Sequence, residues 1–129
     1  MNIPQGLKYS KEHEWVRVDG NIGTIGITDF AQSELGELVY IEIDSVGEDL
    51  SKDDVFGTVE AVKTTSELFM PISGKVIEFN DELSEKGGDN PAVINEDPYG
   101  KGWIVKIEIA DESELGDLLT PEQYAELIG

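Results

Sequence analysis

The chain has 129 residues, enough to fill one hydrophobic core, and 28 acidic residues against 9 basic ones give a formal net charge of -19. Phosphate backbones and anionic membranes are bound by clustered lysine and arginine, so this charge balance argues against nucleic acid and membrane as partners. With no cysteine and one histidine the chain has neither disulfides nor a clustered zinc site, and we expect no metal.

The N-terminal quarter is predicted to be extended. Residues 7–9 and 15–18 have the apolar and β-branched character of short strands, and residues 22–27 resemble them. The Asp-Gly-Asn sequence at 19–21 is typical of a hairpin turn between the last two. Two glycines inside 22–27 predict a close approach of another group to the backbone, or a bulge in a curved sheet.

A short helix is expected next. Thr28 can cap it, Asp29 would lie in its positive first turn, and Gly36 can end it. Residues 38–43 then form the clearest strand of the sequence, with Val39 and every second residue after it predicted to share one face.

The middle of the chain is predicted to hold three further strands, at residues 55–59, 67–70 and 75–79. The apolar pattern lapses around Lys63, between the first and second of them. Pro71 and the Ser-Gly pair after it mark the bend between the second and third. Lys63 is therefore expected at an accessible turn.

The C-terminal third combines loops, one strand and a helix. Residues 85–90 are expected to form a loop, 97–100 a tight turn, and 103–109 an apolar strand. A capping threonine, a proline and a glutamine then open a terminal helix at residues 120–123. Its apolar face is predicted to comprise Tyr124, Leu127 and Ile128. So many short strands favour a mainly β barrel or sandwich trimmed with short helices.

The sequence offers no assembled set of catalytic residues. His13 is the only histidine, and its acidic and aromatic neighbours favour a structural role. Acidic pairs such as Asp53-Asp54 are typical of solvated surface in a chain so rich in acids. Glycine-rich phosphate loops and calcium loops are missing. We therefore expect no enzyme.

Length, charge and cysteine usage also bear on organisation and location. One domain spanning residues 1–129 is expected, and mutual repulsion at a charge of -19 favours a monomer. The absence of a targeting segment or an apolar membrane span, with no need for oxidation, favours the cytoplasm. The acid excess can steer the chain to basic partners or simply keep it in solution, and the sequence leaves both open.

One segment points to a specific chemistry. Residues 60–64, Glu-Ala-Val-Lys-Thr, followed by Pro-Ile-Ser-Gly-Lys-Val at 71–76, resemble the lipoyl-attachment region of the H proteins of the glycine cleavage system. Further segments resemble that family in the same order along nearly the whole chain: 13–16, 25–32, 35–37, 95–100, 102–103 and the terminal helix.

The resemblance implies a lipoyl carrier with the barrel-sandwich hybrid fold of lipoyl and biotinyl carriers. Lys63 would bear lipoic acid as an amide. The arm would shuttle an aminomethyl group from a pyridoxal-phosphate glycine decarboxylase to a tetrahydrofolate-dependent aminomethyltransferase and would be reoxidised by dihydrolipoyl dehydrogenase. A lipoate-attaching enzyme is the fourth implied partner, and the carrier itself would make no bonds.

A labile aminomethyl group should be sheltered in a cleft that offers an acceptor to its ammonium. Glu14 and Glu67 lie in motif-matching segments and are the expected acceptors, although both also fit ordinary surface acids. Relatives often have an aspartate in place of Glu67. Glu12 stands where many relatives have a small polar residue, so its effect on the cleft is left unassigned.

Other functions are weighed beside this one. A related lipoyl relay that delivers lipoate to other acceptors would share these motifs, and an acidic adaptor with an unmodified Lys63 would share the composition. Biotin carriers usually flank the lysine with methionines, where this chain has Val62 and Thr64. Lipoyl domains of oxo-acid dehydrogenases usually have an acid directly before it and lack the Asp-Pro-Tyr-Gly block.

Overall fold

The structure is a computed structural model that describes residues 1–129. Nine strands are present: β1 Lys8–Tyr9, β2 Glu14–Asp19, β3 Ile22–Ile27, β4 Leu38–Glu42, β5 Asp49–Leu50, β6 Val55–Ala61, β7 Thr65–Phe69, β8 Gly74–Phe79 and β9 Val105–Ile109. The α-helices are α1 Asp29–Leu35, α2 Ala92–Glu96 and α3 Pro121–Ile128, and short 3-10 turns cover Asp81–Leu83 and Glu112–Asp117. None of the helices has the length and apolar character needed to cross a membrane.

The strands form two antiparallel sheets. The larger has six strands in the order β1-β2-β3-β9-β8-β5, and the smaller has three in the order β4-β6-β7. Three pairs of consecutive strands, β1–β2, β2–β3 and β6–β7, are joined by short turns, as in the β2–β3 hairpin that the turn closes at Asp19↔Ile22. The predicted mainly β, barrel-sandwich fold with short helices is confirmed.

A single apolar cluster of 19 buried residues joins the sheets. The larger sheet contributes Ile25 and Ile107, and the smaller contributes Ile41, Val59 and Leu68. Each of these side chains is 3 % exposed or less. Burying a side chain of this size stabilises the fold by roughly 1.5–3 kcal/mol, so the contact between the sheets dominates the packing energy.

A second cluster attaches the C-terminal helix. Tyr9 and Tyr124 stack with ring centroids 4.8 Å apart, and Ile128 packs against the same group. Leu127 is 49 % exposed, so the prediction that it belongs to the apolar face of α3 was wrong. The helix has eight residues and only its inner edge meets the sheet, which leaves Leu127 at the rim.

The predicted helix caps are confirmed. The Thr28 hydroxyl accepts the backbone N–H of Ala31, and Gly36 ends α1. Thr120 and Gln123 form a complete capping box at the start of α3. Both helices thus begin where a side chain satisfies an otherwise unpaired backbone donor.

Several local features depart from the sequence prediction, among them the two-residue strand β5, which was not predicted. The side chain of Val39 is 42 % exposed, because the register between β4 and β6 shifts between Leu38 and Tyr40 and turns Val39 away from the buried face. The helix α2 was not predicted. Pro91 at its start and the buried Val93 and Ile94 are the signals that could have indicated it.

The tryptophan of β2 packs directly on a glycine of β3, which tests the predicted close approach. Trp15 faces Gly26 in the register, and a Cβ built on Gly26 would lie 2.6 Å from the indole ring. The indole N–H donates to the carbonyls of Ile27 and Pro98, at 3.1 and 3.0 Å, so the ring cannot move aside without losing them.

We therefore expect Gly26→Ala to lower the free energy of unfolding by about 2–3 kcal/mol, since overpacking a filled site costs that much. Urea unfolding followed by tryptophan fluorescence measures it. Gly23→Ala, in the same strand, is the control, because its Cβ would meet neighbours at 3.4 Å, an ordinary contact. Equal losses in the two variants would show that strand propensity, and not the Trp15 contact, sets the cost.

Candidate functional site

Lys63 lies at the tip of the β6–β7 hairpin. The two strands pair up to Glu60↔Thr65, and the Ala61 N–H donates to the Thr64 carbonyl at 2.7 Å to close the turn. The side chains of Lys63 and both its neighbours are exposed, and Val62 is 72 % exposed. The lysine is thus presented on a paired and hydrogen-bonded tip, open to other macromolecules.

The tip rests against the segment that joins α1 to β4. The Val62 N–H donates to the Glu37 carbonyl at 3.1 Å. Next to it, a Cβ built on Gly36 would lie 3.7 Å from Cε of Lys63, so the lysine stem passes over this glycine. The hairpin is therefore fixed to its neighbouring segment by one backbone hydrogen bond and one side-chain contact.

A cleft of about 230 Å³ opens beside the hairpin, between α1 and the strands β6 and β7. Leu35 and Ala31 of the helix, with Ile27, Val59 and Leu68 of the sheets, give it apolar walls. Four carboxyl side chains also line it: Glu12, Glu14, Glu34 and Glu67. The cleft can therefore take a ligand that combines an aliphatic chain with a cationic end.

Glu14 is the buried acid of the cleft, 2 % exposed at the start of β2. The Ser10 hydroxyl donates to its Oε1 at 2.6 Å, and the Phe69 N–H lies 3.4 Å from its Oε2. Removal from water raises the pKa of Glu14 to about 8, an effect that these two hydrogen bonds oppose and the charges of Glu12 and Asp53 increase. Glu14 is therefore mainly protonated at neutral pH.

Glu67 lies on β7 at the exposed rim of the same cleft. The structure thus brings together the two carboxyl groups that the family resemblance singled out: Glu14 is buried and Glu67 is exposed. Glu12 lines the cleft as well. The sequence analysis did not identify Ser10 and Glu34 as residues of the site. Ser10 could have been found from its position four residues before Glu14 across a turn, whereas no sequence signal indicated Glu34.

His13 forms part of the cleft wall and connects it to the C-terminal helix. Its φ is +71°, an uncommon backbone conformation that turns the chain into β2. The ring lies against Phe30, with 5.0 Å between centroids, and Nδ1 lies 2.9 Å from the Tyr124 hydroxyl. That hydroxyl also lies 2.7 Å from Oγ1 of Thr28, so α3 supports both the histidine and the N-terminus of α1.

Burial lowers the pKa of His13, although Glu12 and Glu34 oppose the shift. Its contacts with Tyr124 and Phe30 agree with the structural role that the sequence favoured.

A larger cavity of about 470 Å³ lies on the other side of Glu14. Ser10, Asp53, Phe69 and Leu118 are among the side chains that line it. Glu14 and Glu12 belong to both cavities. The buried side chain of Glu14 therefore lines both the cleft beside the hairpin and this second, larger cavity.

Comparison with known proteins gives one answer throughout. The family model for the glycine cleavage H-protein matches residues 7–129. A protein of Carboxydothermus hydrogenoformans named glycine cleavage system H protein is 56% identical over 98% of this chain and 94% of its own length. One of the same name from Staphylococcus haemolyticus is 55% identical over 100% of this chain and 99% of its own length.

Solved structures agree. The crystal structure of a glycine cleavage system H protein from Mycobacterium marinum is 36% identical and superposes with a TM-score of 0.86, covering 98% of this chain and 99% of that one. Family, sequence relatives and structural neighbour thus coincide over almost every residue. The chain belongs to the glycine cleavage H-protein family.

Proposed function

We propose that this chain is the lipoyl carrier of a glycine cleavage system and that Lys63 is the residue to which lipoic acid is attached. The observation that carries the proposal is the exposed Lys63 on a fixed hairpin tip, directly beside a cleft with apolar walls and carboxyl groups. Membership of the H-protein family supports it. The chain would act as a carrier and not as a catalyst.

The cleft fits a lipoyl arm that folds back from the tip. Ile27, Val59 and Leu68 offer apolar surface to its aliphatic chain, and carboxyl groups lie beside them for a cationic end. The lipoyl group supplies a disulfide that can be reduced to a dithiol and can carry a one-carbon amine. The protein contributes binding, orientation and exclusion of water.

Glu14 would receive the cationic end of the arm. Its carboxyl group is mainly neutral in the empty cleft, because burial raises its pKa to about 8. An ammonium group placed beside it favours the carboxylate and would release its proton. Glu67, at the exposed rim, would add a second negative charge to the same cleft. The two acids would thus favour the cationic cargo over the neutral, unloaded arm.

The proposed partners act on the arm from outside. They are a pyridoxal-phosphate glycine decarboxylase, a tetrahydrofolate-dependent aminomethyltransferase, a dihydrolipoyl dehydrogenase and a lipoate-attaching enzyme. Four different active sites can reach the same residue only if it projects from the protein, which the exposure of residues 62–65 allows. A scaffold that holds the tip in place limits the entropy lost at each encounter.

Attachment at Lys63 predicts a single site of modification. Expression with lipoate and its attaching enzyme should add one lipoyl mass, located by tryptic mapping to the peptide with Lys63. Lys63→Arg should remove that increment and abolish glycine-dependent turnover by the partner enzymes, because arginine cannot form the amide. Lys75→Arg, at another exposed lysine in a strand, is the matched control and should be modified and active like the wild type.

An unmodified Lys63, or a lipoyl group mapped to another lysine, would contradict the proposed site. A lipoylated protein that the glycine decarboxylase cannot use would leave the site intact and contradict the proposed pathway.

Burial of Glu14 predicts a pH-dependent cost in stability. A carboxyl group whose pKa is higher in the folded state than in the unfolded state stabilises the fold fully at a pH below its unfolded-state pKa, near 4.5. This stabilisation is lost as the pH rises to the folded-state pKa of about 8. We expect Glu14→Gln to gain stability over the wild type across this interval. At about 1.4 kcal/mol per pKa unit, the upper limit of the gain is about 5 kcal/mol.

Urea unfolding of both proteins at several pH values between 4 and 9 would measure this, with the difference expected to level off above pH 8. Glu67→Gln, at an exposed position of the same cleft, controls for the loss of one acidic side chain. A difference between Glu14→Gln and the wild type that does not grow with pH would show that Glu14 is ionised in the folded protein.

A further inference from the structure

Asn95, in the helix α2, uses its whole side chain to hold the segment between α1 and β4. Its Nδ2 donates to the Gly36 carbonyl at 2.8 Å and to Oε1 of Gln32 at 2.9 Å. Its Oδ1 accepts the backbone N–H of Leu38 at 3.1 Å. One side chain thus bonds to the residues directly before and after Glu37.

The clamped segment cannot satisfy these backbone groups as a regular strand would. Gly36 has φ +83° and ψ -155°, a conformation open essentially only to glycine, so its carbonyl points away from the helix that it ends. At the start of β4 the register with β6 shifts after Leu38. Asn95 replaces the hydrogen bonds that the irregular backbone leaves unmade.

The same three residues support the hairpin tip. The Glu37 carbonyl, between the two clamped positions, accepts the Val62 N–H at 3.1 Å. The stem of Lys63 passes over Gly36. A continuous series of contacts therefore leads from Asn95 through residues 36–38 to the backbone and side chain of the tip.

We propose that Asn95 is a positioning residue for the attachment lysine: by clamping residues 36–38 it holds the 62–63 tip in the arrangement that the attaching enzyme recognises. The proposal rests on the proposed role of Lys63 and deepens it. It also gives a function to one residue of the 95–100 segment, which the lipoyl site itself does not use. Asn95 contacts neither the reacting amine of Lys63 nor the cleft. Its effect is therefore on the fraction of molecules in which the 62–63 tip has the arrangement that the attaching enzyme recognises.

Asn95→Asp is the sharpest test, because it keeps the shape of the side chain and replaces two donors by an oxygen that repels the Gly36 carbonyl. Hydrogen exchange followed by NMR should show faster exchange of the Val62 amide, by about tenfold, as the tip detaches from Glu37. With a purified lipoate-attaching enzyme, lipoate and ATP, the KM for the acceptor protein should rise by about tenfold while kcat is unchanged, since fewer tips are competent to bind. Asn95→Ala, which adds no charge, should also raise both the exchange rate of the Val62 amide and the KM.

Asn80→Asp is the matched control. Asn80 is also an asparagine whose Nδ2 holds two backbone carbonyls, those of Lys101 and Trp103, at 2.9 and 2.7 Å. It is 6 % exposed, so its variant loses comparable hydrogen bonds at a site that makes none to the tip. This variant should lose global stability, yet below its unfolding transition it should keep the wild-type KM and the wild-type local exchange at Val62.

The proposal is overturned if Asn95→Asp leaves both the Val62 exchange rate and the KM unchanged, or if Asn80→Asp alters them to the same extent. The exchange experiment needs no lipoylation. If the Val62 amide exchanges faster in Asn95→Asp but not in Asn80→Asp, the clamp is supported even if Lys63 proves not to be the acceptor. Failure of the clamp can therefore be distinguished from failure of the proposed function.

Discussion

The apolar contact between the two sheets is the interaction on which the other features of the molecule depend. The hairpin that presents Lys63 belongs to the smaller sheet, whereas Ile27 and Glu14, on the opposite side of the cleft, come from the larger. The cleft exists because the shared cluster of 19 residues holds these elements at a fixed separation. Close packing makes such an interior stiff, so a tip built on it keeps its position.

Within this frame the site is held by polar contacts at the periphery. The Tyr124 hydroxyl, from α3, meets both His13 and Thr28 and so supports one wall of the cleft. Asn95, from α2, supports the segment under the tip. The helices α2 and α3 thus have a common task, since each supports a segment that lies outside the regular strands.

The buried Glu14 stands apart from this pattern, because its environment opposes stability. Desolvation outweighs its hydrogen bonds to Ser10 and Phe69, which is why its pKa is raised. Destabilised groups of this kind are typical of functional sites, where the geometry serves a ligand and not the empty protein.

Much of the fold followed from local sequence patterns. The strand at 22–27 and the helix between Thr28 and Gly36 were predicted with their observed bounds, because alternation and capping are local signals. The exposure of Val39 was not predictable, since it depends on a register shift against β6 that only the paired strand reveals. The helix α2 was not predicted because five residues are too few to establish a helical period of apolar residues.

The candidate site was less accessible to such patterns. The chain has 28 acidic residues, and no local pattern in the sequence indicates which of them is buried. Glu14 and Glu67 were therefore singled out only through the family resemblance. Asn95 lies 59 residues from Gly36, and a contact of that separation leaves no periodic trace. The tip itself was indicated locally, by the lapse of the apolar pattern around Lys63.

The support of the hairpin by distant segments has a consequence for biosynthesis. Asn95 meets Gly36 and Leu38, and Glu37 meets Val62, only after the smaller sheet and α2 have come together. A nascent or misfolded chain displays the same lysine on an unrestrained loop. An attaching enzyme that reads the shape of the tip would pass over such chains, so the cofactor itself would mark the molecules that have matured correctly.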